Sequence, residues 1–435
     1  MKTLKLFPLF LAAVIVIATA QDCKKIGPET PEDNNEQEEK NTGEEDLVPA
    51  DTLYALSSLD SVRLARKGIK FFETEELRGV WVTSVQELDW PMGNYEMSAQ
   101  KALYRKYLDL FERLNINAVF FQVRPHADAF YDSEYEPWSA MITSVEGRDP
   151  GYDVLQFLLD ETHARGMQFH AWMNPYRISK RKNANAEFPE LDPRIPAELT
   201  KDYAKVRIYN PALPGTHERI AAIVKDIITK YDVDGIHFDD FFYPELTSGE
   251  TMNDETEFLT YREHEGSIEE FRRNCVEKMV TAVHNAIKET RPEVIFSISP
   301  AGNYDYCYET MYFDIETTCS KHLIDIIIPQ LYWSTAAPKD YYTPRLNWFK
   351  EHTADVPMLI GYAIYRFGSG DKGFESADEF LTERNLAAKV DKVKGGVFFR
   401  TEFLQKNLAG ITTCIQKAYS KPARLPQFGY DTVAE

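Results

Sequence analysis

The strongest constraint on this chain is an alternation. Between residues 77 and 419, eight β-rich runs each give way to a stretch of helical periodicity. The runs are Arg78–Ser84, Ala118–Pro125, Gln168–Asn174, Gly235–Phe242, Val294–Pro300, Ile324–Trp333, Met358–Tyr365 and Gly396–Thr401. Several are almost continuously apolar, as in Val119-Phe120-Phe121, Ile326-Ile327-Ile328 and Val397-Phe398-Phe399. Parallel strands covered by helices on both faces read this way. Helical patterns fill the gaps over Ala99–Leu114, Tyr152–Arg165, His217–Tyr231, Ile268–Thr290, Ser376–Val393 and Leu404–Tyr419. Asn115, Gly166 and Pro292 punctuate three of their ends. Eight βα units in series predict an α/β fold, a (β/α)8 TIM barrel. A doubly wound open sheet would carry a Gly-rich phosphate turn after its first strand. Here that run leads into Thr83-Ser84-Val85-Gln86.

The remaining length has another use. Lys2 and Lys5, the apolar Leu6–Ile17 run and Ala18-Thr19-Ala20 form the pattern of a signal peptide over residues 1–20. Residues 21–50 read as an acidic flexible tether. Its core, Glu29–Asp46, has nine acids, one base (Lys40) and no aromatic residue, so it cannot bury enough surface to order itself. Residues 51–76 read as a lead-in helix, 77–419 as the barrel and 420–435 as a C-terminal strap. Cys23 leaves two expectations open: plain secretion, or a lipid-modified cysteine on a periplasmic, outer-membrane or cell-surface lipoprotein. Cys275, Cys307, Cys319 and Cys414 match no zinc spacing. They read as core thiols, with a Cys307–Cys319 disulfide as the alternative. The net charge of −20 argues against nucleic acid or an anionic membrane as the main partner. The expected state is a monomer, attached to a membrane only through a lipid on Cys23, with no cofactor and no metal.

A barrel of this kind places its chemistry at the C-terminal ends of its strands. Polar and aromatic residues collect at those ends of the predicted runs. They are Gln122, Arg124 and Asp128; His170, Trp172, Asn174, Tyr176 and Arg177; His237, Asp239 and Asp240; Gln330, Tyr332 and Trp333; Tyr365; and Glu402. Asp239-Asp240 is the centre. Two adjacent carboxyls among Phe238, Phe241 and Phe242 occupy surroundings that raise a carboxyl pKa, as a general acid requires. Asp239, Asp240 and Glu402 are therefore the catalytic candidates. The other thirteen are candidate binders of a glycan polymer, by stacking or by hydrogen bonds to hydroxyls and carboxylates. Aromatics make up 13% of the chain, and their presence at strand ends suits a sugar cleft. Ser299 lies in no G-x-S-x-G elbow, which excludes a serine-hydrolase reading.

Taken together, these segments resemble the glycosyl-hydrolase-like family ten proteins of bacterial envelopes. The matching stretches run in order over about residues 77–404. They include Arg78-Gly79-Val80-Trp81-Val82-Thr83, Gln122-Val123-Arg124-Pro125, His170-Ala171-Trp172-Met173-Asn174-Pro175-Tyr176-Arg177, Asp232 to Pro244, Ser297-Ile298-Ser299-Pro300 and Pro329-Gln330-Leu331-Tyr332-Trp333. The resemblance implies a (β/α)8 barrel and cleavage of glycosidic bonds, with peptidoglycan glycan strands stripped of stem peptides as one substrate of the family. The fourth run also resembles the chitinases of family eighteen, but Phe241 stands where their catalytic Glu would be. That difference motivates a rival expectation, a non-catalytic glycan-binding lipoprotein on the same barrel. A metal-dependent hydrolase or deacetylase using His170, His237 and Asp239 is the third.

Overall fold

The computed structural model describes residues 56–428, apart from 182, 184 and 337–340. The expected signal peptide, Cys23 and the acidic tether lie outside the described residues, as do the first residues of the lead-in and the last of the strap. Contacts divide the chain into Met1–Pro49 and Ala50–Glu435, and the barrel belongs to the second unit. The strands are β1 (Leu77–Val82), β2 (Ala118–Arg124), β3 (Gln168–Met173), β4 (Arg177–Lys180), β5 (Thr200–Asp202), β6 (Val206–Tyr209), β7 (Gly235–Phe238), β8 (Ile295–Ile298), β9 (Ile326–Ile327), β10 (Met358–Tyr362) and β11 (Val393–Phe398). Eight of them close a parallel barrel in the order β1-β2-β3-β7-β8-β9-β10-β11. The (β/α)8 expectation therefore holds.

Residue alternation makes this barrel a packed body. On β2, Ala118 and Phe120 join the inner cluster, while Val119, Phe121 and Val123 join the outer one beneath the helices. β1 does the same, with Leu77 and Trp81 inward and Val80 and Val82 outward. Burial of each such large apolar side chain contributes roughly 1.5–3 kcal/mol. The inward position between Leu77 and Trp81 is Gly79, where a Cβ would come within 2.8 Å of the Phe120 ring. The helices supply the outer layer. Ile268–Thr290 starts at a Ser267/Glu270 capping box and buries Phe271, Cys275, Met279, Val283 and Ile287 at spacings of about one turn. The lower rim is tied by the strap. Arg424 donates to Thr74 O at 2.8 Å, and Leu425 N donates to Asp60 Oδ1 of the lead-in helix Ser58–Lys67 at 3.1 Å.

The structure departs from the sequence expectation in three places. Most strands end earlier than their apolar runs, because the last residues of each run turn into the mouth. The sixth is shortest, since Pro329 has no N–H to continue a ladder. The expected last helix is two, Thr401–Lys406 and Ile411–Ala418. Asn407 (φ 50°) and Gly410 (φ 76°) adopt the left-handed conformation between them, and Asn407 Oδ1 caps Thr412 N at 2.8 Å. Finally, the β3–β7 connection carries a small antiparallel sheet of order β4-β6-β5. Its strands of three or four residues are too short to show a period. Cys275, Cys307, Cys319 and Cys414 are free thiols, the first three buried, so no Cys307–Cys319 disulfide forms. Among the described residues, no helix is long and apolar enough to cross a membrane.

Candidate active site at the barrel mouth

β7 brings the centre into place. Its inward positions are Gly235 and His237, and the next in phase is Asp239, just past the strand end. Asp239 is buried and accepts three hydrogen bonds: from Asn174 Nδ2 at 2.8 Å, Trp172 Nε1 at 3.1 Å and Phe241 N at 3.2 Å. Asn174 is held in turn, because its Oδ1 accepts from Arg177 N at 2.8 Å. Asp240 is partly exposed and hydrogen-bonds Gln330, whose Nε2 also donates to Ser299 O at 3.0 Å. Strands β3, β7, β8 and β9 thus converge on two carboxyls.

The electrostatics separate the pair. Burial raises both pKa values. Asp239 is opposed by the nearby Arg177 charge and by its three donors, which favour the ionised form. Asp240 has less support, and the neighbouring Asp239 charge adds to burial, so its pKa rises to about 7. Two adjacent carboxyls do not readily ionise together. The charge settles on Asp239, where the donors point, and the proton stays on Asp240 near neutrality. That is a general acid beside a fixed anion.

Beneath the pair is a neutral layer. Trp81 Nε1 donates to His237 Nε2 at 3.1 Å, which places the His237 proton on Nδ1, 2.9 Å from Ser297 Oγ. Burial pushes the His237 pKa down, so it carries no charge. His170 stacks on Phe120 with ring centroids 4.3 Å apart, and Gly235 makes room for it, since a Cβ there would meet His170 Nδ1 at 2.2 Å. Both histidines are barrel interior. Among the described residues, no group of three His, Cys, Asp or Glu side chains is arranged to hold a metal.

Trp172, Asn174, Arg177, Asp239, Asp240, Gln330, Tyr332 and Tyr365 are brought together at the mouth. Tyr332 meets Tyr365 edge-on at 5.9 Å, and both pack on Phe399. The other expected site residues are placed elsewhere. Arg124 is fully buried, with Nε and Nη2 on the two Glu136 carboxylate oxygens at 2.7 and 2.6 Å and Nη1 on the carbonyls of Asn174 and Pro175. No donor nitrogen is left for a ligand. Gln122 Oε1 fixes Ser84 N and Val85 N at 3.1 and 2.9 Å. Asp128 is buried against His126 N and Ser139, and burial lifts its pKa to about 6. Tyr176 packs behind the mouth on Phe242. Trp333 lies under the Arg345 guanidinium, 4.1 Å from its ring centroid, and against Gly302. Glu402 is ion-paired with Arg400 and Lys406, which depress its pKa, and it makes no contact with Asp239 or Asp240 among the described residues. The reading of single residues missed Trp81, His126, Phe241, Tyr306 and Phe399 at this end. Inward phase within their runs would have found Trp81 and Phe399.

The comparisons with known proteins agree with this geometry. Residues 76–376 match the family described as Glycosyl hydrolase-like 10. Glycosyl hydrolase YngK of Bacillus subtilis (strain 168) is 33% identical over 377 residues, covering 81% of this chain and 73% of its own. Glycosyl hydrolase DigH of Escherichia coli (strain K12) is 32% identical, covering 77% of this chain and 84% of its own. Among solved structures, the PgaB (BpsB) glycoside hydrolase domain from Bordetella bronchiseptica superposes with a TM-score of 0.51 at 10% identity, covering 79% of this chain and 98% of that one. An α-L-fucosidase isoenzyme from Paenibacillus thiaminolyticus reaches 0.50 at 12% identity, covering 79% of this chain and 49% of that one. These two likenesses concern the barrel fold.

Proposed function

From the premise that this chain belongs to the glycosyl hydrolase-like 10 family, we propose that it is a glycoside hydrolase acting on a polysaccharide of the bacterial envelope, with peptidoglycan glycan strands as the substrate of first choice. One observation carries the catalytic part: Asp240 holds its proton to about pH 7 beside Asp239, which is ionised and saturated with donors. Asp240 protonates the departing glycosidic oxygen. Asp239 stabilises the positive charge that builds on the sugar ring as that bond breaks. Gln330 aims the Asp240 carboxyl, and Trp172 and Asn174 aim Asp239. Tyr332, Tyr365 and Phe399 offer rings on which a sugar can lie.

The envelope part of the proposal rests on the signal-peptide pattern, on Cys23 and on the family resemblance. It makes the protein an exported one, either secreted or lipidated at Cys23. The test is incubation of the purified protein with glycan strands stripped of stem peptides, followed by mass analysis of the products. The proposal expects new reducing ends with the wild type and none with Asp240→Asn. Oligosaccharide binding without any turnover, across a broad glycan panel, would instead establish the non-catalytic reading.

A further inference from the structure

The small sheet inserted after β3 places two cations beside the acid pair. β4 begins at Arg177 and ends at Lys180. The Arg177 backbone is fixed by Asn174, which itself holds Asp239, so the start of β4 is locked to the catalytic centre. The Arg177 guanidinium lies 4.3 Å from the centroid of Phe241, a ring that is 36% exposed. It is near enough to Asp239 and Asp240 to feel both charges, yet it hydrogen-bonds neither. Lys180 is exposed and close enough to Arg177 for the two charges to repel. His126 senses both, and burial together with these cations keeps it neutral.

Most arginines of this protein are engaged. Arg124, Arg272 and Arg400, for example, each grip a carboxylate through charge-assisted hydrogen bonds. Among the described residues, the side-chain nitrogens of Arg177 and Lys180 make no hydrogen bond and no ion pair. Two like charges held together without a protein anion, in a chain of net charge −20, form a local positive field with open donors. Neighbouring like charges of this kind are stabilised by an anion placed between them, and a planar guanidinium fits a carboxylate with two parallel hydrogen bonds. The ring of Phe241 beneath it gives the sugar body an apolar surface.

We propose that Arg177 and Lys180 form a carboxylate-binding subsite next to the Asp239–Asp240 pair, so that the glycan accepted here carries an acidic sugar beside the bond cleaved. This rests on the glycosidase reading and narrows it to anionic glycans. The carboxylate can belong to a lactyl ether or to a uronate. Arg124, which the sequence also offers for this task, is closed to ligands by Glu136.

The test uses the full-length Asp240→Asn protein, so that binding is read without turnover. Calorimetry compares four oligosaccharides of equal length: one with lactyl carboxylates, the same one with those groups amidated, one with uronates, and a neutral N-acetylglucosamine oligomer. The expected result is at least tenfold tighter binding of one acid form than of the neutral forms, weakening as salt is raised. That preference should fall severalfold with Lys180→Met added and vanish with Arg177→Met added. Whichever acid is preferred identifies the source of the carboxylate. Equal affinity for acid and amide, or an acid preference that survives both substitutions, overturns the subsite. Cleavage by the wild type is scored separately. Hydrolysis without an acid preference removes the subsite and leaves the glycosidase, whereas an acid preference with no cleavage of any glycan removes the glycosidase reading.

Discussion

Two buried charged clusters lie within a few strands of each other, and they are built in opposite ways. Arg124 and Glu136 are both fully buried and form a two-point ion pair, and backbone carbonyls take up the remaining guanidinium donors. Asp239 and Asp240 put two acids side by side, with donors for one and little for the other. The first cluster is satisfied, and such a pair stiffens the framework. The second keeps a proton that the protein does not need for its own stability. A buried charge with every partner in place marks architecture, and one left short of partners marks a place where substrate or chemistry completes it.

The contrast can be tested by substitution. Asp240→Asn removes the proton donor while keeping the shape, and should lower kcat on a polysaccharide by about 10²–10⁴-fold with the fold intact. Kinetics beside a melting curve reads both. Arg124→Met strands a buried Glu136 carboxylate, so it should cost about 3–5 kcal/mol in denaturant unfolding. The protein that remains folded should keep its kcat. A catalytic collapse without a stability loss would erase the distinction between the two clusters. Trp172→Phe removes one hydrogen bond to the Asp239 carboxylate, a contact to a charged group worth roughly 1.5–3 kcal/mol. The expected loss is about 10–100-fold in kcat/KM. Glu402→Gln removes a rim ion pair of the class worth under about 1 kcal/mol, and kcat should stay within about threefold of wild type. A loss as large as that of Asp240→Asn would restore Glu402 as a second catalytic acid.

The barrel was readable in the sequence because every strand is buried on both faces and every helix is long enough to show its period. Ile268–Thr290 matches to the residue. The acid pair was readable because Asp-Asp interrupts an aromatic run at a strand end. What could not be read was the direction in which each polar side chain turns. Arg124 and Gln122 are inward in phase, as Trp172 is, but Glu136 and the Ser84–Val85 backbone meet them first. Glu136 is 12 residues along the chain from Arg124, and no local pattern announces it. The β4–β6 sheet and Lys180 escaped for a related reason. Their strands are short, and their importance comes from lying beside Asp239, which only the closed barrel brings about.

The central claim is that Asp240 keeps its proton to about pH 7 because burial and the Asp239 charge disfavour its ionisation. A general acid works only while protonated, so activity belongs below this pKa and is lost above it. The direct measurement is kcat/KM against pH on glycan strands, from pH 5 to 9. The account predicts a rate that falls about tenfold per pH unit above roughly pH 7, with that limb absent from the residual activity of Asp240→Asn. A wild-type rate that stays level or rises through pH 9 would contradict it.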